Sequence, residues 1–94
     1  KDSEKRKEVS QLMKTISHSS RLAIIDLLLE KGPLTVTEIH QEIDISQSSA
    51  SQHLKALVNV GVLAYEREAQ RMHYQVANPL IAGLLNSVNE CTSC

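Results

Sequence analysis

The stretch Ser46-Gln47-Ser48-Ser49-Ala50-Ser51-Gln52-His53-Leu54-Lys55-Ala56-Leu57-Val58-Asn59-Val60-Gly61 constrains the chain most, because it reads as a helix with both ends marked. Ser46 is a good N-cap, since its hydroxyl accepts one of the orphan amides of a first helical turn. Gly61 suits the left-handed residue that follows a helix C-terminus. At about 100° per residue, Ala50, Leu54 and Leu57 share one narrow face. Ser48, Ser51, Gln52 and Lys55 fall opposite. That outer face has no acid, although the 11 Asp and Glu of the chain outnumber its 10 Lys and Arg. Hydroxyls, amides and one Lys facing outward suit a DNA major groove. The plainer alternative is a solvated surface helix that lacks acids by chance.

The residues on either side favour the first reading. Thr35-Val36-Thr37-Glu38 matches a capping box, a Thr followed three residues later by Glu. Val36, Ile39 and Ile43 line one face of a helix running to about Glu42, and Asp44-Ile45 links it tightly to Ser46. Two short helices joined this way form a helix-turn-helix over residues 35–61. After Gly61 the period changes to two. Leu63, Tyr65 and Arg67 alternate with Ala64, Glu66 and Glu68, and Met72, Tyr74 and Val76 alternate with Arg71, His73 and Gln75. The Tyr and Val content supports strands. The natural join is a hairpin over 62–77, turning near Ala69-Gln70 without an Asn-Gly or Asp-Gly signal. Leu34 is a candidate for a very short extra strand. Helix-turn-helix plus hairpin is a winged helix, whose tip presents Arg67, Gln70 and Arg71 to phosphates or a minor groove. Two arginines at a surface turn also serve plain solubility.

Val9, Leu12, Met13 and Ile16 recur at helical spacing, so a first helix is expected over about 3–16 with Ser3 as a possible cap. Ser17-His18-Ser19-Ser20 interrupts it. Leu22 to Leu29, broken only by Asp26 and ended by Gly32-Pro33, reads as a central helix buried nearly all round. Asn78-Pro79 is a helix start, and Leu80, Ile81, Leu84, Leu85 and Val88 give a last helix over 79–90 a broad apolar stripe. The first and last helices show more apolar surface than a small winged core buries, which marks association. The expected architecture is therefore mainly α with a small β-hairpin (α+β). Its order is α-α-α-α-β-β-α in a single domain over 1–94, with a homodimer built through the first and last helices.

Ninety-four residues with two Tyr and neither Trp nor Phe leave an aliphatic core, consistent with helices. The net charge of −1 offers no global basic field, so any nucleic-acid binding must be local. No apolar run approaches the roughly 20 residues of a membrane span, and the first eight residues are too charged for a signal peptide. An intracellular chain without membrane association is expected. No nucleophile with a base partner, phosphate loop or paired carboxylate suggests an enzyme. In a reducing cytosol, Cys91 and Cys94 suit a metal ligand pair, a redox switch or an inert tail better than a structural disulfide.

From about Val9 to Val88 the chain resembles the ArsR/SmtB family of bacterial repressors. The likeness is carried chiefly by Leu34-Thr35-Val36-Thr37-Glu38-Ile39 and by Ile45 through Leu57, and the return strand Tyr74-Gln75-Val76 after a basic wing fits as well. His18-Ser19-Ser20-Arg21 is similar to the family's His-Pro-x-Arg, with Ser for Pro. The resemblance implies a homodimeric winged-helix repressor of the bacterial cytosol and nucleoid that binds a palindromic operator in double-stranded DNA and releases it on an inducing signal. It places Gln47, Ser48, Ser51 and Gln52 at base-contacting positions, with Lys55, Arg67, Gln70 and Arg71 on phosphates and the wing. His53 matches the family's Ser-x-His-Leu, and its angular position beside Leu54 suggests partly buried packing. The arsenic-type thiol positions hold Thr35 and Thr37, and Asn78 and Leu80 cannot supply the first half of the zinc-type site. The second half of that site falls on Cys91 and Cys94. Their spacing suits two ligands of a thiophilic metal, with two more needed from a symmetry mate or elsewhere, and equally a dithiol–disulfide sensor. No metal site is assigned. His40 and His73, each lone, read as surface residues. A winged helix used only for protein interaction, without specific DNA binding, is the alternative function.

Overall fold

The structure, a computed structural model, describes residues 2–77, with side chains from Arg6 onward. Four helices precede a two-stranded hairpin: α1 (Asp2–Ile16), α2 (Ser19–Lys31), α3 (Val36–Glu42), α4 (Gln47–Asn59), β1 (Leu63–Glu68) and β2 (Arg71–Val76). The expected last helix over 79–90, with Cys91 and Cys94, lies outside the described residues.

Local chemistry sets most of the boundaries. Thr35 and Glu38 form the anticipated capping box, with Glu38 N donating to Thr35 Oγ1 at 3.3 Å and Thr35 N donating to Glu38 Oε1 at 3.0 Å. Ser46 Oγ accepts from Ser49 N at 3.0 Å. At the far end of α4, Gly61 takes φ 80°, Gly61 N donates to Val58 O, and Val62 N donates to Leu57 O. Those two bonds make a Schellman motif, which turns the chain into β1 while satisfying the carbonyls of the last turn. The antiparallel register runs from Leu63↔Val76 to Glu68↔Arg71, leaving Ala69 and Gln70 as the loop. Leu34 adds a single bridge to Tyr74, the short extra strand that the sequence suggested.

The core lies where α2, α3, α4 and the base of the hairpin meet. Ile24, Ile25, Ile39, Leu54, Leu57 and Val62 have no exposed surface, and Leu63 almost none. Burying one such side chain is worth roughly 1.5–3 kcal/mol, so these few aliphatics fix how the helices cross.

Two expectations need correction. Ser3 lies inside α1 rather than capping it. The reading of α2 as apolar nearly all round holds for one face only: Ile24, Ile25, Leu27 and Leu28 are buried, whereas Leu22, Asp26 and Leu29 are exposed on the other side. Periodicity counts apolar residues without knowing which side the core occupies. The α1 stripe likewise divides. Ile16 is buried and Leu12 packs on the core, while Val9 and Met13 stand 57% and 45% exposed.

Candidate nucleic-acid interface

Helix α4 is fixed from behind and open in front. Ala50, Leu54 and Leu57 are fully buried, and Ser46 secures the first turn. Gln47, Ser48, Ser51, Gln52 and Lys55 are all exposed on the other side. No acid interrupts the chain between Gln47 and Tyr65, so this face offers neutral donors and acceptors and one cation. Such groups match the edges of base pairs, and an exposed carboxylate would be repelled by phosphates.

The hairpin stands beside that helix. Arg67, Gln70 and Arg71 are exposed around the loop, where Ala69 adopts φ 58°. The strand register also sets Glu68 opposite Arg71 and Glu66 opposite His73, so the wing is less cationic than its arginines suggest. Between helix and wing runs a groove of about 350 Å³, bordered by Ser51, Lys55 and Asn59 from α4 and by Tyr65, Met72 and Tyr74 from the wing. The Tyr65 and Tyr74 rings lie 6.0 Å apart at 51°. Burial, with Tyr65 alongside, raises the Tyr74 phenol above its ordinary value. Tyr65, half exposed, joins the two sets of residues at this groove. Sequence reasoning used it only as a strand former, and its alternation with Arg67 was the available signal.

Behind α4, His53 is half-buried, in keeping with the packing role read from its position. Its Nδ1 accepts from Arg21 Nε at 3.1 Å, and Arg21 Nη1 donates to the Thr15 carbonyl at 3.1 Å. The His18 ring lies 4.7 Å from that of His53, centroid to centroid, while His18 Nδ1 caps α2 by accepting from Ser20 N at 3.3 Å. The Arg21–His53 pair spans 32 residues, and nothing in the local pattern foretells it. The family's His-Pro-x-Arg motif marked the position without its partner.

Two further histidines are not simple surface residues. His40 is half-buried, with Nδ1 at 3.2 Å from the Ile45 carbonyl across the turn into α4. His73 is also half-buried, and its Nδ1 is enclosed without a hydrogen-bond partner. Thr35, at an arsenic-type thiol position, is committed to capping α3. Among the described residues no group of three His, Cys, Asp or Glu side chains is placed to hold a metal, and no helix is long and apolar enough to cross a membrane.

A capped helix with an acid-free face, a tight turn before it and a hairpin beside it define a winged helix-turn-helix module. A family profile for a helix-turn-helix domain matches residues 16–66. The chain is 36% identical over 88 residues to the biofilm growth-associated repressor of Xylella fastidiosa, covering 93% of this chain and 76% of that protein. It is 30% identical to the arsenical resistance operon repressor of Staphylococcus aureus, over 88% of this chain and 79% of the other. Its fold also matches the solution structure of a homodimeric winged helix-turn-helix DNA-binding domain from Mycobacterium bovis, described as a possible ArsR-family regulator. That match has a TM-score of 0.91 and 27% identity, covering 98% of this chain and 84% of the other. The chain belongs to the ArsR/SmtB family of winged helix-turn-helix transcriptional regulators.

Proposed function

We propose that this chain is a sequence-specific transcriptional repressor that binds its operator as a homodimer. The observation that carries the reading is the exposed, acid-free row Gln47, Ser48, Ser51, Gln52 and Lys55 on a helix whose opposite residues are fully buried. In this reading Gln47, Ser48, Ser51 and Gln52 meet base edges in the major groove. Lys55 meets phosphates there, and Arg67, Gln70 and Arg71 carry the wing to the neighbouring backbone. The exposed Val9 and Met13 support α1 as part of a dimer interface that the expected last helix completes. The relatives are named as repressors, and the Mycobacterium bovis domain is described as homodimeric. A two-fold dimer reads a palindrome whose half-sites lie about one helical turn, roughly 34 Å, apart. The place of action is the bacterial cytosol, at the nucleoid.

Release follows a metal, thiol-reactive or redox signal at Cys91 and Cys94, a pair able to supply two ligands to a thiophilic ion or to close as a disulfide. The test is a selection of duplexes from a random-sequence library, followed by titration of the winning duplex and of random DNA. Equal affinity for both overturns specific repression. Repeating the titration with Zn(II), Cd(II), As(III) and an oxidant, in the parent and in a Cys91→Ser/Cys94→Ser variant, tests the sensor. Affinity unchanged under every condition removes the cysteine pair from the mechanism.

A further inference from the structure

The guanidinium of Arg21 joins three helices. It donates through Nε to His53 Nδ1 in the middle of α4 and through Nη1 to the Thr15 carbonyl in the last turn of α1, from a position in the first turn of α2. Thr15 is itself buried, with its hydroxyl donating to Gln11 O at 2.8 Å. The anchor at the α1 end is therefore backbone that is already fixed.

The hydrogen positions follow from the donor inventory. Arginine does not deprotonate and has no acceptor, so His53 Nδ1 must offer a lone pair to Arg21 Nε. The imidazole is then neutral with its hydrogen on Nε2. A further proton has one place to go, Nδ1, so protonation of His53 and the bond from Arg21 exclude each other. We infer that Arg21 is a positioning residue for the recognition helix, holding α4 to the end of α1 through His53 Nδ1, and that this hold opens when that nitrogen takes up a proton. The inference rests on the DNA-binding reading given above. His53 follows Ser51 and Gln52 directly, so a shift at its ring turns the face that would meet bases.

The surroundings keep the hold closed at neutral pH. Burial, then the neighbouring His18 and Arg21, lowers the pKa of His53 below its ordinary value of 6.5. Among the described residues, the charged and titratable groups that shift it are His18 and Arg21, both at the start of α2; α1, α3 and the hairpin contribute none. Lys cannot replace Arg21, because a single ammonium lacks the planar fork that spans both acceptors.

The experiment uses a duplex selected by the full chain from a random-sequence library at pH 7.5, with random duplex as reference. Affinities are read from pH 8 to 5.5 at fixed salt, for the parent, His53→Asn and Arg21→Gln. Asn places an acceptor near the former Nδ1 and does not titrate. The parent is expected to lose roughly tenfold in preference for the selected duplex as His53 protonates, the scale of one lost hydrogen bond to a charged group. His53→Asn holds its preference across the range. Arg21→Gln is expected to show at pH 7.5 the reduced preference that the parent reaches only in acid. It loses little more as pH falls, because the bridge from α1 to α4 is absent throughout. Matching pH profiles for the parent and His53→Asn overturn the role of Arg21 while leaving specific binding intact. A library with no preferred duplex overturns the repressor reading itself, and the role of Arg21 with it. If either variant fails to fold, the ring resonances of His53 in the parent decide. Duplex binding must lower the pH at which they titrate, opposite to the ordinary effect of a nearby polyanion, and a rise or no change overturns the inference.

Discussion

Leu34 and Tyr74 exchange two backbone hydrogen bonds, Leu34 N to Tyr74 O at 3.1 Å and Tyr74 N to Leu34 O at 2.8 Å. Leu34 directly precedes the N-cap of α3, so this one bridge fastens the return strand of the wing to the start of the helix-turn-helix. The bridge thus helps to set where the wing stands relative to the helix-turn-helix. Leu34→Pro deletes the donor and leaves the Tyr74 carbonyl unpaired. The expected cost is about 1–3 kcal/mol, read by urea denaturation, together with faster amide exchange along β2. An unchanged midpoint and unchanged exchange would show that the bridge does not hold the wing.

The loop of the wing carries a different stress. Ala69 sits at φ 58°, where an L side chain costs roughly 1–2 kcal/mol and glycine costs nothing. Against that, glycine gives up about 0.5–1 kcal/mol of chain entropy on folding. Ala69→Gly is therefore expected to stabilise the fold by up to about 1 kcal/mol, a rise of several degrees in melting temperature for a domain this small. A lower melting temperature would mean that the loop relaxes out of this conformation in solution.

Features decided within a few residues were legible in the sequence. The Thr35–Glu38 box, the Ser46 cap and Gly61 after α4 fall where local chemistry puts them, and the turn at Ala69-Gln70 falls where the two alternating runs meet. Features decided by which surfaces meet were not. The exposure of Leu22 and Leu29 depends on where the core lies relative to α2. The enclosure of His73 Nδ1 depends on what packs on β2, and the bond from Arg21 to His53 on two helices crossing. The outward row on α4 was read correctly because its buried partners Ala50, Leu54 and Leu57 repeat at helical spacing. The groove beside Tyr65 needed the wing in place.

The capping box of α3 gives the protein an acid-sensitive element. Hydrogen bonds from the Thr35 backbone and hydroxyl hold the Glu38 carboxyl below its ordinary pKa of 4.5. The folded state thus binds this proton less readily than the unfolded chain. The stabilisation is complete above the ordinary value and is lost as pH falls through the lowered one. Thr35→Ala removes the cap at a cost of about 1 kcal/mol at neutral pH. Because the backbone donor of residue 35 survives that change, it is Glu38→Gln, which cannot ionise, that is expected to flatten the dependence of melting temperature on pH in the acid range. A variant that keeps the parent's slope would place the acid sensitivity elsewhere.

Gln52 and Arg71 separate the two kinds of contact proposed for the interface. Gln52 is exposed on the row opposite Leu54 and Leu57, where an amide can both donate to and accept from one base. Gln52→Ala is expected to cost about 1–3 kcal/mol on the selected duplex and to relax preference at a single base position. Affinity for random DNA should hardly change. Arg71 stands at the wing loop with Glu68 across the ladder, so its free charge is already moderated by a neighbour. Arg71→Ala should weaken every sequence alike and reduce the slope of log affinity against log salt by at most about 1. Titrations of both variants at several salt concentrations distinguish these outcomes. If Arg71→Ala changed base preference while the salt slope stayed constant, the wing would be reading sequence and its assignment to phosphates would fall.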